Sequence, residues 1–509
     1  MNNLNKYSPF IFIIFLLIVF GKYFPGEIAV SDELVRIKQV KDFLSSDTEG
    51  FSCQYPGVEI DKEYKYIPSL HPILRIFNNK CYYVFPYFFT ILSLPFYIIG
   101  KITALYIMTL LCGIITFFYT IKLGDIFLKS NLDKLMLRIL VFTSMGVLYY
   151  SLKLNEHIVA STLSVLGVYF YFKKKTPIFI ISSGILLGLS PMIRQESILL
   201  GLGLIFFSFL KERKLTKENL LLSSSFILIL SLSVCANLYL FGEPLGLRGM
   251  EIKEKSSFDL YQSLQRIKIY LIGNGDRGLF KFFPVYVLGL LTPFLFLRNR
   301  NIPFALILIT IPALFIVPII VKIDPFGQFG ERYLYIIYPF ILILTCLFLS
   351  EIINKNIKIL FTIFALTSCI YTFRTELKLI KENYNFLKFF KKESNHHFSS
   401  ITDDKVVVIR NLYLNSFFFN NPNQNQIVFM AVSDENFLNL LELLRKNSIN
   451  KITIISTKLK INDIDPEVFK RHNGEIPNSD IPVQASKFLK SSSIDKGTQF
   501  IKIMEYDLN

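Results

Sequence analysis

The sequence predicts a polytopic α-helical membrane protein with about eleven transmembrane helices, interfacial helices in its first external loop and a C-terminal soluble α/β domain. Three observations carry that reading. Hydrophobic residues fill 52% of the 509 positions and aromatic residues 15%, with a mean hydropathy of +0.44, which is too apolar for an ordinary soluble chain of this size. Lysine and arginine gather mainly in alternate short loops between the apolar runs, and so on one side, as the positive-inside rule requires. After about Arg374 the composition turns polar and the hydrophobic period changes. The net charge of +16 is therefore a topology signal. No basic domain or motif accompanies it, and nucleic acid is not expected as a partner.

Taken in order, the apolar run Pro9 to Phe24 follows Lys6 like a signal peptide. No small-residue cleavage site precedes Pro25, so the run reads as an uncleaved first helix with its N-terminus inside. Residues 27–101 then form the first external loop. Its segment Tyr82 to Gly100 is apolar but holds Pro86, Pro95 and eight aromatic residues. That makes a poor straight span of ~20 residues, and interfacial helices or a re-entrant pair fit better.

Ile102 to Ile121 crosses inward to Lys122, Lys129, Lys134 and Arg138. Ile139 to Leu152 goes out to Asn155-Glu156-His157, and Ile158 to Phe172 returns to Lys173. Pro177 to Leu189 goes out to Arg194-Gln195-Glu196, and Ile198 to Leu210 returns to Lys211 and Arg213. Leu220 to Leu240 leads to an external loop reaching Arg277, and Leu279 to Leu297 returns to Arg298. Ile302 to Val321 leads out to the stretch Asp324 to Arg332, and Tyr333 to Leu349 returns. Ile359 to Phe373 leaves the tail outside.

Residues 1–374 are thus expected to form the membrane domain and 375–509 an external α/β domain. In the latter, Lys405 to Ile409 and Lys451 to Ile455 read as strands. They flank an amphipathic helix over Ser433 to Lys446, with Leu438, Leu440, Leu441, Leu443 and Leu444 at helical spacing. Cys53 and Cys81 share the first external loop and either pair, in an oxidising compartment, or stay free. No cysteine has metal-site spacing. His71 reads as a loop or packing histidine, and His396-His397 as tail surface.

Under this topology one face collects Asp32, Glu33, Glu156, Glu196, Asp324 and Glu331 together with Arg194, Arg277 and Arg332. Adjacent carboxylates such as Asp32-Glu33 are costly beside a membrane unless solvated, paired or used. Their functional reading is a general base that takes a proton from a hydroxyl; their structural reading is a pair of acids at a helix start, with Ser31 as cap. Glu156 and His157 are either a second acid and acceptor-positioning pair or part of a salt bridge to an outer arginine. The three arginines suit a phosphate, because the guanidinium fork binds it bidentately and stays charged when partly buried. They equally suit snorkelling or loop ion pairs.

The order of several segments resembles the GT-C superfamily of polyprenyl-phosphate-sugar-dependent glycosyltransferases, over about residues 8 to 350. They are Asp32-Glu33 after the first helix, Leu94-Pro95-Phe96-Tyr97 with Gly100, Glu156 at the next outer turn, and Gly184 to Leu189 followed by Arg194. Asn237 with Phe241-Gly242-Glu243-Pro244, Arg277-Gly278-Leu279-Phe280 with Pro284, and Gly327 to Tyr333 with Pro339 are similar to its bacterial protein-mannosyltransferase-like (family 39-like) branch. The resemblance implies a GT-C-like fold with Asp32, supported by Glu33, as catalytic base. It implies Glu156 and His157 as acceptor or second-acid residues, and Arg194, Arg277 and Arg332 as groups near the donor phosphate. The donor would be a polyprenyl-phosphate sugar and the acceptor a glycan, glycolipid or protein. No metal is expected, since the first loop lacks a DxD motif and a phosphate leaving group needs no general acid. The expected place is a bacterial inner membrane, with the N-terminus cytoplasmic and the C-terminal domain periplasmic. The rival readings are a flippase for a lipid-linked sugar, disfavoured because no internal repeat is found, and a polymerase or ligase of lipid-linked glycans.

Overall fold

The computed structural model describes residues 2–24, 26, 32–45, 51–68, 73–247, 249–250, 259–273, 278–298, 304–320, 332–398, 406–410, 426–457, 481–491 and 501–508. Ser31, His71, Arg277, Asp324 and Glu331 lie outside the described residues, as do the side chains of His396 and His397. Helix α1 spans Asn2–Tyr23, followed by α2 (Asp32–Leu44) and a hairpin of β1 (Leu74–Phe77) and β2 (Lys80–Tyr83). Then come α3 (Tyr87–Phe127), α4 (Asn131–Ser144), α5 (Val147–Ser151), α6 (Glu156–Lys173), α7 (Pro177–Ile193), α8 (Ile198–Glu212) and α9 (Lys217–Phe241). Helices α10 (Leu260–Leu271), α11 (Tyr286–Leu290), α12 (Phe304–Ile320), α13 (Tyr338–Glu351) and α14 (Lys355–Phe398) complete the helical part. The tail holds β3 (Val406–Ile409), β4 (Ile427–Met430), α15 (Asp434–Lys446), β5 (Lys451–Thr457), β6 (Leu489–Ser491) and β7 (Ile501–Leu508).

The chain forms two compact units, Met1–Gly26 with Pro86–Tyr384, and Glu27–Phe85 with Asn385–Asn509. Among the described residues, four helical stretches are long and apolar enough to cross a membrane: Tyr87–Phe127, Lys217–Phe241, Arg332–Glu351 and Lys355–Phe389. Shorter apolar helices include Tyr7–Tyr23, Pro177–Ile193 and Phe304–Ile320.

Two of the expected spans are built differently, and the segment before Ile102 is partly strand. In the stretch Tyr82 to Gly100, β2 takes the start, and the helix that opens at Tyr87 breaks at Gly100 and Lys101, the latter with φ +52°, so that a second helix begins where the crossing from Ile102 is expected. The expected crossing Ile139 to Leu152 is two helices, α4 and α5, turned at Gly146, whose φ of +67° suits glycine. The expected crossing Leu279 to Leu297 is a one-turn helix, then α11, then Thr292–Arg298. Pro284 and Pro293 each deny the helix a backbone donor there. Helix α14 also runs well beyond Phe373, to Phe398.

Helix ends follow their caps. Ser130 accepts from the Asp133 amide at 3.0 Å, Asn155 from Ile158 at 3.2 Å and Thr216 from Asn219 at 3.2 Å, the side-chain acceptors that free helix N–H groups need. The close packing of α7 on α9 explains the glycine pair in the Gly184 to Leu189 segment. A methyl group on Gly184 would overlap the Ser225 hydroxyl and lie 2.6 Å from the Leu222 carbonyl oxygen, and one on Gly188 would lie 2.8 Å from Ile229. Small residues at this spacing let membrane helices approach backbone to backbone.

In the second unit the sheet order is β4-β3-β5-β7-β6; β3 is parallel to β4 and β5, and β7 antiparallel to β5 and β6. Val406, Val408, Ile452 and Ile454 face Phe437, Leu440, Leu441 and Leu444 of α15, while Val407, Ile409, Ile455 and Ile503 fill the other face. Fully buried Arg410 ties β3 to α15. It donates to the Ser433 carbonyl at 3.1 Å, pairs with Asp434 at 2.5 Å and stacks on Phe437. Residues 51–68 belong to this unit: Tyr55 and Tyr66 join the α15 core, and the Met430 amide bonds to the Tyr66 carbonyl at 2.8 Å. Cys53 and Cys81 form a disulfide, joining the segment after α2 to β2.

Two outcomes are expected. Gly184→Val should lower the thermal unfolding temperature of the purified chain, at a cost of about 1–3 kcal/mol, because the α7–α9 contact has no room for added methyl groups. Of the six cysteines, four should alkylate in denaturant without reductant and all six after reduction, read by intact mass.

Candidate functional site

Among the described residues of the first unit, the charges that meet in the interior come from three chain ends. Glu156 opens α6 behind its Asn155 cap, Arg194 closes α7, and Glu196 lies in the single turn that joins α7 to α8. Arg194 Nη1 donates to Glu156 Oε1 at 2.8 Å, its Nε donates to Glu196 Oε1 at 2.8 Å, and its Nη2 bonds to the same Glu196 oxygen. The three side chains are 2–5% exposed, so this is an ion-pair triad inside the protein. Two carboxylates on one guanidinium satisfy its fork from both sides.

Aromatic rings extend the triad. The turn Arg332–Ile337 presents Tyr333, whose ring centre lies 4.8 Å from the Arg194 guanidinium and 5.0 Å from that of Arg332. One ring thus lies against two arginines. His157, buried beside Glu156, meets Tyr333 and Tyr150 with ring centres 6.1 Å apart in each case. Tyr150 packs on Tyr335 at 4.0 Å. Arg332 is the half-buried arginine of the set, with Nη2 3.2 Å from the Tyr333 hydroxyl.

The segment before Glu156 is fixed from the far end of the chain. Helix α5 starts at Gly146, which has no side chain to cap it, and Glu376 of α14 supplies the acceptor: the Tyr149 amide donates to its Oε1 at 2.8 Å. Asn155 Nδ2 then holds the Tyr150 and Lys153 carbonyls at 3.0 and 3.1 Å. The sequence reading stopped the last span at Phe373 and missed Glu376. Its signal was helical spacing, since Ala365, Cys369, Thr372, Glu376 and Ile380 form one buried face.

Asp32 and Glu33 belong to the second unit, in the first turn of α2, where carboxylates are favoured beside unpaired helix N–H groups. Asp32 is half-buried, and Arg36 Nη2 lies 4.0 Å from its Oδ2. Arg36 is buried and stacks on Phe85 at 4.5 Å. Glu33 is buried. Another carboxylate of α2, Asp42, is also buried, accepting from the Tyr83 hydroxyl at 2.5 Å and the Gln54 amide at 2.9 Å. Burial pushes its carboxyl above the usual range, against the pull of Lys38 and those two donors. Asp32 is thus the more accessible acid of these three. Arg277 lies outside the described residues, and among the described residues no three His, Cys, Asp or Glu side chains are grouped to hold a metal ion.

No family model matches the sequence, and no curated protein matches it. Solved structures match by fold. ArnT from Cupriavidus metallidurans, in a crystal structure bound to undecaprenyl phosphate, aligns with a TM-score of 0.56 over 98% of this chain and 97% of its own, at 10% identity. The oligosaccharyltransferase of Archaeoglobus fulgidus, in a structure tethered to an acceptor peptide with the NVT sequon, gives 0.53 over 100% of this chain and 75% of its own, at 12% identity. Both are GT-C glycosyltransferases, and the chain has the GT-C fold.

Arg194→Ala should destabilise the chain by about 3–5 kcal/mol, since it leaves two buried carboxylates without a cation. Adding Glu156→Gln and Glu196→Gln to it should recover part of that loss in a thermal melt.

Proposed function

We propose that this chain is an inverting membrane glycosyltransferase that moves a hexosyl or pentosyl group from a polyprenyl-phosphate donor to a hydroxyl of a cell-envelope glycolipid, glycan or protein. In this reading it crosses a bacterial inner membrane about eleven times, works on the external face without a metal, and belongs to the protein-mannosyltransferase-like branch. One observation carries the proposal: the fold runs nearly end to end with that of an enzyme crystallised with undecaprenyl phosphate. The Cys53–Cys81 disulfide adds support for an oxidising compartment around the second unit.

The chemistry needs two things from the protein. As the acceptor oxygen bonds to the anomeric carbon it must lose its proton, and Asp32 is assigned to take it. As the bond from that carbon to the phosphate oxygen breaks, its electron pair stays on the phosphate, and fixed positive charge must meet it. Because Arg194 is already bound by Glu156 and Glu196, that task falls to Arg332 and Arg277. Arg194, Glu156 and His157 then hold the outer turns in place, and Glu33 supports the start of α2.

The test is sugar release from a panel of polyprenyl-monophosphate sugars by the purified chain in lipid. Asp32→Asn should lower turnover at least about a hundredfold, while a half-buried isosteric change leaves the melting temperature nearly unmoved. Turnover kept by the variant removes Asp32 from the mechanism. Movement of labelled lipid-linked sugar across the bilayer without release, in both proteins, favours the flippase.

A further inference from the structure

An apolar groove of about 490 Å³ lies between α4 and α14 in the first unit. None of its lining residues belongs to the set assigned to sugar transfer. Ile139 and Thr143 form one side, and Leu366, Ile370 and Phe373 the other. Its back is a cluster of rings, with Phe142 and Phe15 at 5.4 and 5.8 Å from Phe373. Its front is open, since Ile370 is 70% exposed and Leu366 39%. At one end stands Arg374, exposed, the first charge after the apolar run of α14. Among the described residues it has no ion-pair partner, whereas Lys378, one turn further, pairs with Glu382 at 3.7 Å.

We propose that this groove binds one anionic phospholipid, with its phosphate on Arg374 and an acyl chain lying past Phe373 and Ile370 towards Leu366. Two features choose this occupant. From Leu366 to Arg374 the lining runs along α14 for about 12 Å at 1.5 Å per residue, within the depth of one leaflet, about half of the ~30 Å hydrocarbon core. The arginine sits at the polar end of that depth, where its stem lies along apolar surface and its head reaches the headgroup layer. A guanidinium there prefers phosphate, which it binds bidentately, to a neutral or zwitterionic headgroup. The bound lipid would seal α4 against α14 beside the buried face of α14, shared with Cys369 of the lining, that carries the Glu376 cap on α5. The proposal rests on the groove and its charge and is independent of the sugar-transfer reading.

The test is native mass spectrometry of the full chain released from nanodiscs of mixed phosphatidylglycerol and phosphatidylcholine. Wild type should retain one phosphatidylglycerol in preference to phosphatidylcholine. Arg374→Gln should lower that retention about tenfold, the scale of a lost charge-assisted hydrogen bond, with no change in melting temperature measured in detergent. Ile370→Trp, which fills the groove from its open side, should also displace the lipid. Equal retention by wild type and Arg374→Gln overturns the proposal, as does equal retention of phosphatidylcholine. A lipid-free dimer, or retention of polyprenyl phosphate alone, also overturns it by naming another occupant.

Discussion

Arg194 is held inside the protein by Glu156 and Glu196, and it cannot be removed without leaving two carboxylates in a medium that solvates them poorly. This constraint organises the first unit. It joins the start of α6 to the end of α7 and to the turn before α8, and through the Tyr333 ring it reaches Arg332. Buried triads of this kind are rarely the main source of stability. Their consequence is that only one arrangement of these chain ends satisfies all the charges. Glu376 acts on the same region from α14, ordering α5 and hence the stretch leading to Asn155 and Glu156.

The triad also sorts the arginines. The sequence offered Arg194, Arg277 and Arg332 as equals, because type and position say nothing of partners. Geometry distinguishes Arg194, which is committed to two buried carboxylates; Arg332 is half-buried with its guanidinium against the Tyr333 ring, and Arg277 lies outside the described residues. The bland alternative raised for Glu156, a salt bridge to an outer arginine, is the contact observed.

The membrane character, the helix at 434–446 and the strands beside it were legible because periodicity and composition are local signals. The leucines of α15 pack on β3 and β5 as their spacing implies. The GT-C fold was legible through the order of short segments, no one of which suffices alone. What the sequence hid were long-range pairings. Glu196 stood in view two residues from Arg194, but nothing local marked it as a ligand of that side chain. The place of residues 51–68 beside β4 depends on contacts more than 350 positions apart, such as Tyr66 with Met430. Hydropathy also drew Ile139 to Leu152 and Leu279 to Leu297 as single spans, where Gly146, Pro284 and Pro293 divide the helix. Apolar character says that a segment is buried or in lipid; it does not say that the segment is straight.

The central proposal is a division of labour in which Arg194 is structural and Arg332 meets the donor phosphate. The most direct measurement is equilibrium binding of polyprenyl phosphate to the purified chain in lipid, comparing wild type with Arg332→Gln. The account predicts that Arg332→Gln melts like wild type and binds about tenfold more weakly or worse, as expected for a lost charged contact. Wild-type affinity in Arg332→Gln, with binding lost instead in an Arg194 variant that remains folded, would contradict it.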